Sequence, residues 1–183
     1  LYTRFIDDIF LLWNGTEKEL LDFVKKLNQS HRTIKFDLNY SKTEINFLDT
    51  VIYKNQQGTL HTKIYKKPTD HPSYLHGRSE HPCSTKRSII YSQALRIKRI
   101  CSEETEVIKG CNTLFNNFKA RGYSEKTIRE NIKRAKNFNQ IDLLKPREKL
   151  STAAKIPFIT TYNKTLPPIK DVLHRNWNIL TIN

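Results

Sequence analysis

The apolar positions run first with strand spacing and then with helical spacing. Leu1 to Trp13 is apolar except for Thr3, Arg4 and the adjacent pair Asp7-Asp8. Asp is poor inside a strand and good in a turn. The pattern therefore predicts a β-hairpin, Leu1–Ile6 and Ile9–Trp13, with two carboxylates at its tip. Thr16 and Glu19 have the spacing of a capping box, and Leu20, Leu21, Phe23, Val24 and Leu27 follow at helical intervals, predicting a helix to about Ser30. Ile34, Phe36, Leu38 and Tyr40 then alternate with Lys35, Asp37 and Asn39, the period of a half-buried strand. After a turn at Ser41-Lys42-Thr43, Ile45–Tyr53 is β-rich, Asn55–Gly58 reads as a hairpin loop and Thr59–Tyr65 as the return strand.

Pro68 and Pro72 mark a break, and beyond it the period becomes helical. Ser84 or Thr85 suits the cap of a helix running to about Cys101, with Ile90, Ala94, Ile97 and Cys101 on one face. Ser102 suits the cap of a second helix, whose stripe is Val107, Ile108, Cys111, Leu114, Phe115 and Phe118. Gly122 stops it and Ser124 caps a third, Glu125 to about Phe138, apolar at Ile128, Ile132 and Ala135 and basic at Lys126, Arg129, Lys133, Arg134 and Lys136. Residues 139–155 read as a polar linker, Pro157–Tyr162 as a strand and Ile169–Leu180 as a last short helix. The fold class is α/β in the mixed (α+β) sense: hairpins in 1–70, helices in 71–138, linker and connector in 139–183.

Charge divides the chain at the same place. The 183 residues carry a formal net charge of +14. Residues 1–70 hold 11 basic and 9 acidic side chains, the remainder 21 and 9. A strongly basic helical half attracts polyanions, of which nucleic acid is the commonest. The longest wholly apolar run, Ile9 to Trp13, is far short of the ~20 residues that span a bilayer. The predicted helices lack the strongly apolar face of a membrane-surface helix, so no membrane partner is expected. Three widely spaced Cys and no signal-peptide pattern point to a reducing, intracellular setting. The chain has no Met and opens directly in an apolar stretch, which reads as a piece of a longer protein.

Adjacent carboxylates at the end of an apolar hairpin repel each other and call for a counter-charge. Mg²⁺, which prefers carboxylate oxygens, supplies one, and two such ions about 4 Å apart can clamp both oxygens of a phosphoryl transfer. Phe5-Ile6-Asp7-Asp8 resembles the (Tyr/Phe)-x-Asp-Asp motif of reverse transcriptases. Leu38-Asn39-Tyr40-Ser41-Lys42-Thr43 is similar to the segment that follows the next helix in those enzymes. Phe47-Leu48-Asp49 stands where they have a primer-grip hairpin, with Asp49 in place of a common Gly. Ile45–Thr50, Lys66–Asp70, Tyr74–His76, Thr85–Arg96 and the tail Ile156–Phe158, Tyr162-Asn163 and Leu166-Pro167 resemble Penelope-like retroelements in particular.

That resemblance implies the C-terminal part of a polymerase palm, a helical thumb and a connector. It implies Asp7 and Asp8 as ligands of catalytic Mg²⁺ (or Mn²⁺), and Lys42 as a proton donor or triphosphate contact. Phe47, Leu48 and Asp49 would be the primer grip, and Lys86, Arg87, Arg96, Lys98 and Arg99 contacts to the duplex backbone. The implied reaction is RNA-templated DNA synthesis in the nucleus, on an RNA template and DNA primer or their hybrid. The rest of the polymerase would lie upstream, so this piece alone is expected to be inactive. The competing reading is a helix-turn-helix nucleic-acid-binding module without catalysis, drawn from the three helices and Gly122. His71, His76, His81 and Cys83 crowd together but match no zinc-finger spacing.

Overall fold

The computed structural model describes residues 1–146, 159, 161 and 169–180. The chain is mixed α/β and divides into two compact units: Leu1–Asp70 with Ile100–Ile108, and His71–Arg99 with Lys109–Asn183. No helix among the described residues is long and apolar enough to cross a membrane.

In the first unit, β1 (Tyr2–Phe5) and β2 (Asp8–Leu11) form the antiparallel hairpin. Phe5 pairs with Asp8, so the loop is Ile6-Asp7, one residue earlier than the sequence reading placed it, and Asp8 opens the second strand. Two-residue closure is the commonest way to join strands of this register. Ile6 takes φ 53° there, the left-handed region that a β-branched side chain resists.

Helix α1 (Glu17–Ser30) has the expected box: the Thr16 hydroxyl accepts from the Glu19 N–H, and Glu19 Oε2 accepts from the Thr16 N–H at 2.7 Å. These bonds hold the Glu19 carboxyl below its ordinary range. Trp13 stacks on Phe23 with ring centroids 5.4 Å apart, and its Nε1–H donates to the Thr16 carbonyl.

The strand expected over 34–40 is absent. The Asn28 amide takes the place of a neighbouring strand: its Oδ1 accepts from the Phe36 N–H at 2.6 Å and its Nδ2 donates to the Phe36 carbonyl at 3.0 Å. The alternation is present, but only Phe36 in this stretch is half-buried. Alternation needs a covered face and a ladder partner to become a strand, and a side-chain amide satisfies just one residue of it.

β3 (Glu44–Phe47), β4 (Thr50–Lys54) and β5 (Leu60–Ile64) form an antiparallel sheet in chain order. The β-rich run is thus itself a hairpin, closed by Leu48-Asp49, with Leu48 at φ 54° in the same strained position as Ile6. The Phe10 ring lies against Phe47 at 5.6 Å. Phe10, Leu20, Val51, Cys101 and Val107 are the buried apolar residues of this unit, whereas Tyr2, Phe5, Ile6 and Ile9 stay exposed.

The second unit is helical: α2 (Cys83–Ile100), α3 (Glu104–Ala120), α4 (Glu125–Lys136), α5 (Gln140–Leu144), α6 (Ile169–Arg175) and α7 (Trp177–Leu180), with the first residues of α3 belonging to the other unit. Ile90, Ala94 and Ile97 of α2, Cys111, Leu114 and Phe118 of α3, and Ile128 and Ala135 of α4 are buried. The stripe of α3 is narrower than expected, since Ile108 is exposed. Helix α2 starts at Cys83, before either expected cap. Ser102 does not cap α3; its hydroxyl accepts from the Thr62 N–H at 2.9 Å. Part of the expected linker folds as α5, capped by Asn139, whose side chain accepts from the Ile141 N–H. The last helix is two short ones that meet at Asn176. The strand expected at Pro157–Tyr162 and the tail Ile156–Pro167 lie outside the described residues, apart from Ile159 and Thr161.

Candidate nucleic-acid interface

Helices α3 and α4 are joined by Arg121-Gly122-Tyr123-Ser124. Gly122 takes φ +78°, where a Cβ is strained, and ends α3. Ser124 starts α4 by accepting from the Thr127 N–H. A preceding segment buttresses this turn. The Gly77 N–H donates to the Arg121 carbonyl at 2.8 Å, and a Cβ on Gly77 would lie 2.6 Å from the Gly122 carbonyl oxygen. Tyr74 stacks on Phe118 at 4.5 Å, and Tyr123 meets the same ring edge-on at 5.1 Å. Arg121 donates to the Pro72 carbonyl at 3.1 Å.

On α4, Ile128, Asn131 and Ala135 are buried, and the Asn131 amide donates to the Thr127 carbonyl. Lys126, Arg129, Lys133 and Lys136 recur at i, i+3, i+7 and i+10 on the exposed side. Arg129 lies over the Phe115 ring of α3 at 4.6 Å, and Arg134 over Tyr91 of α2 at 4.2 Å. Stacking occupies the guanidinium face and leaves its in-plane N–H donors outward. Glu125, in the first turn, accepts from Lys119 at 2.6 Å and from Arg129 at 3.3 Å. These bonds, that of Lys119 foremost, hold its carboxyl below the ordinary range.

The basic residues singled out on α2 differ among themselves. Lys86 is half-buried, and its ammonium donates to the Gly77 and Ser79 carbonyls at 3.0 and 3.1 Å, so it anchors the buttress. Arg87 is exposed and its Nε–H reaches the Cys83 carbonyl at 3.4 Å. Arg96 and Lys98 are half-buried and engaged within the structure, while Arg99 is exposed. The sequence pattern shows the basic face of α4, although the resemblance to reverse transcriptases points to contacts on α2. Lys119 has no such signal in the sequence, because it reaches the α4 stripe only through the turn at Gly122.

In the first unit, Asp7 in the hairpin loop and Asp8 at the start of β2 are both exposed. The Phe10–Phe47 contact joins that hairpin to the one bearing Phe47, Leu48 and Asp49. Lys42 is exposed, with its ammonium 3.8 Å from Glu17. Among the described residues no three His, Cys, Asp or Glu side chains gather into a metal-binding group, either at the Asp pair or around His71, His76, His81 and Cys83. Two neighbouring carboxylates are an incomplete donor set for a two-ion centre.

A Ser-His-Glu arrangement occurs at β5 and the start of α3, and its hydrogen bonds run the wrong way for catalysis. His61 Nδ1 is 3.3 Å from Ser102 Oγ, and His61 Nε2 is 3.5 Å from Glu103. The Asn55 Oδ1 accepts from the Gln57 and Thr59 N–H groups, so its Nδ2 faces His61 Nε2 at 3.0 Å and donates to it. That network assigns the proton of neutral His61 to Nδ1, which donates to Ser102 and cannot take its proton. The Tyr53 hydroxyl donates to Glu103 at 2.7 Å, and burial together with this bond raises its pKa. The cluster is a clasp between the sheet and the α2–α3 connection.

Residues 73–133 match the family model of the animal helix-turn-helix domain. The matched segment covers the buttress, α2, α3, the Gly122 turn and most of α4. No curated protein and no solved structure matches the chain.

Proposed function

We propose that the helical unit binds nucleic acid as a helix-turn-helix module, with α4 as the helix that faces the duplex. The observation that carries this reading is the α3–turn–α4 arrangement within the family match, presenting Lys126, Arg129, Lys133 and Lys136 on one exposed stripe. Lysine and arginine on such a stripe neutralise phosphates and release counterions, which gives a steep salt dependence. The test is fluorescence anisotropy of the full chain with a labelled duplex across a salt series. K126Q and K133Q should each weaken binding on every sequence and flatten the log–log salt slope by about 0.9. Unaltered binding by both variants would refute the assignment of α4.

The hairpin supports a second reading, in which the chain belongs to a Penelope-like reverse transcriptase and the helical unit holds template and primer. Two turns of the same kind, Phe5-Ile6-Asp7-Asp8 and Phe47-Leu48-Asp49-Thr50, carry a positive φ on an aliphatic residue, and strands of the two meet at Phe10 and Phe47. Backbone strain of this kind clusters at functional sites. Asp7 and Asp8 would supply two oxygen donors to Mg²⁺, and a further carboxylate would have to come from elsewhere in the polymerase. On this reading the chain alone extends no primer on an RNA template with Mg²⁺ or Mn²⁺. The longer enzyme would do so, and D7N would abolish it; full activity of D7N would sink the reading.

A further inference from the structure

Residues 119–136 hold seven basic side chains and two acidic ones, Glu125 and Glu130. Glu125 sits among the cations that would meet a nucleic-acid backbone. It bridges Lys119 at the end of α3 and Arg129 on α4, and all three side chains are about half or more exposed, at 58%, 46% and 69%. Exposed ion pairs are weak and screened by salt, so a polyanion displaces them at little cost. Arg129 is held in place by Phe115 whether or not the carboxylate is there, because the ring contacts its face and the acid its edge.

We propose that Lys119 and Arg129 form a phosphate site in which the Glu125 carboxylate is the occupant of the free protein, to be displaced when nucleic acid binds. This rests on the nucleic-acid-binding reading of the helical unit, and it adds a competitor built into the interface. Carboxylate and phosphate cannot share the two cations, since their charges repel. Glu125 thereby lowers affinity for any backbone phosphate.

The test compares wild type, E125Q, E130Q, K119Q and R129Q, each as the full chain, in anisotropy titrations with a random-sequence DNA duplex over a salt series. E125Q should bind about three- to five-fold tighter than wild type. E130Q, which removes an equal charge one turn further along, should gain less. K119Q and R129Q should bind more weakly, with the salt slope reduced by about 0.9 each. In a K119Q/R129Q background the gain from E125Q should vanish, as expected for coupled residues. Equal gains in E125Q and E130Q would show only a general field effect and overturn the proposal. So would an E125Q that binds no tighter than wild type. If E125Q fails to fold, undiminished binding by K119Q and R129Q overturns it instead. A wild type that binds no duplex at low salt brings down the nucleic-acid reading as well. Binding by wild type without a gain in E125Q brings down this inference alone.

Discussion

Single residues carry two kinds of constraint here, space and backbone angle. Gly77 is a matter of space: a Cβ there would lie within 3 Å of the Gly122 carbonyl group, and both sides of that contact are backbone. Gly77→Ala should destabilise the helical unit by about 1–3 kcal/mol, read as a lower urea midpoint with an unchanged slope. Leu48 is a matter of angle. It holds φ 54° in a two-residue turn, a conformation that Asn adopts at less cost than Leu. Leu48→Asn should stabilise the first unit by about 0.5–1 kcal/mol, seen as a higher melting midpoint. Neither constraint shows in hydrophobic pattern: Gly77 precedes its helix by several residues, and Leu48 looks like one more apolar position of a β run.

At the level of elements, local signals were legible where the stabilising partner is also local. The Thr16–Glu19 box fixed the start of α1 because both groups lie within one helical turn. Thr16→Ala should cost about 1 kcal/mol and fray the first turn, measured by amide exchange. The pH dependence has a definite sign. Glu19 is held below its ordinary pKa in the folded state, so its contribution is complete above the unfolded-state value and is lost as pH falls through the depressed folded value. Protection of the Thr16 and Glu19 amides, measured against their intrinsic exchange rate at each pH, should therefore fall on acidification below about pH 4.5, and the E19Q variant should lack this step. Signals that depend on a distant partner misled. The alternation at 34–40 had no strand to pair with, and the Ser102 hydroxyl went to Thr62 rather than to its own helix.

Across the molecule, the two units interleave along the chain: the α2–α3 connection, Ile100–Ile108, belongs with the strands. Ser102 with Thr62, and Tyr53 with Glu103, tie it there. A cut after Asp70 strips these bonds from the helices that follow. The piece 71–146 should melt about 10 °C or more below the helical transition of the full chain, at roughly 1 kcal/mol per lost hydrogen bond and 4–8 °C per kcal/mol for a domain of this size. Equal melting of the two would show that the connection contributes nothing.

By itself the sequence determined the mixed α/β class, the carboxylate-tipped hairpin, helix α1, and the apolar faces and basic charge of the three helices. Period, capping and composition act within a few residues, so each is written locally. Tertiary structure alone decided which of those features work together. It turned Lys86 inward, brought Lys119 beside α4 through the Gly122 turn, and set Glu125 between two cations. It also gave His61 the tautomer that disarms a Ser-His-Glu likeness. Partners brought together by chain reversal are spaced by geometry, and no period along the chain encodes that spacing.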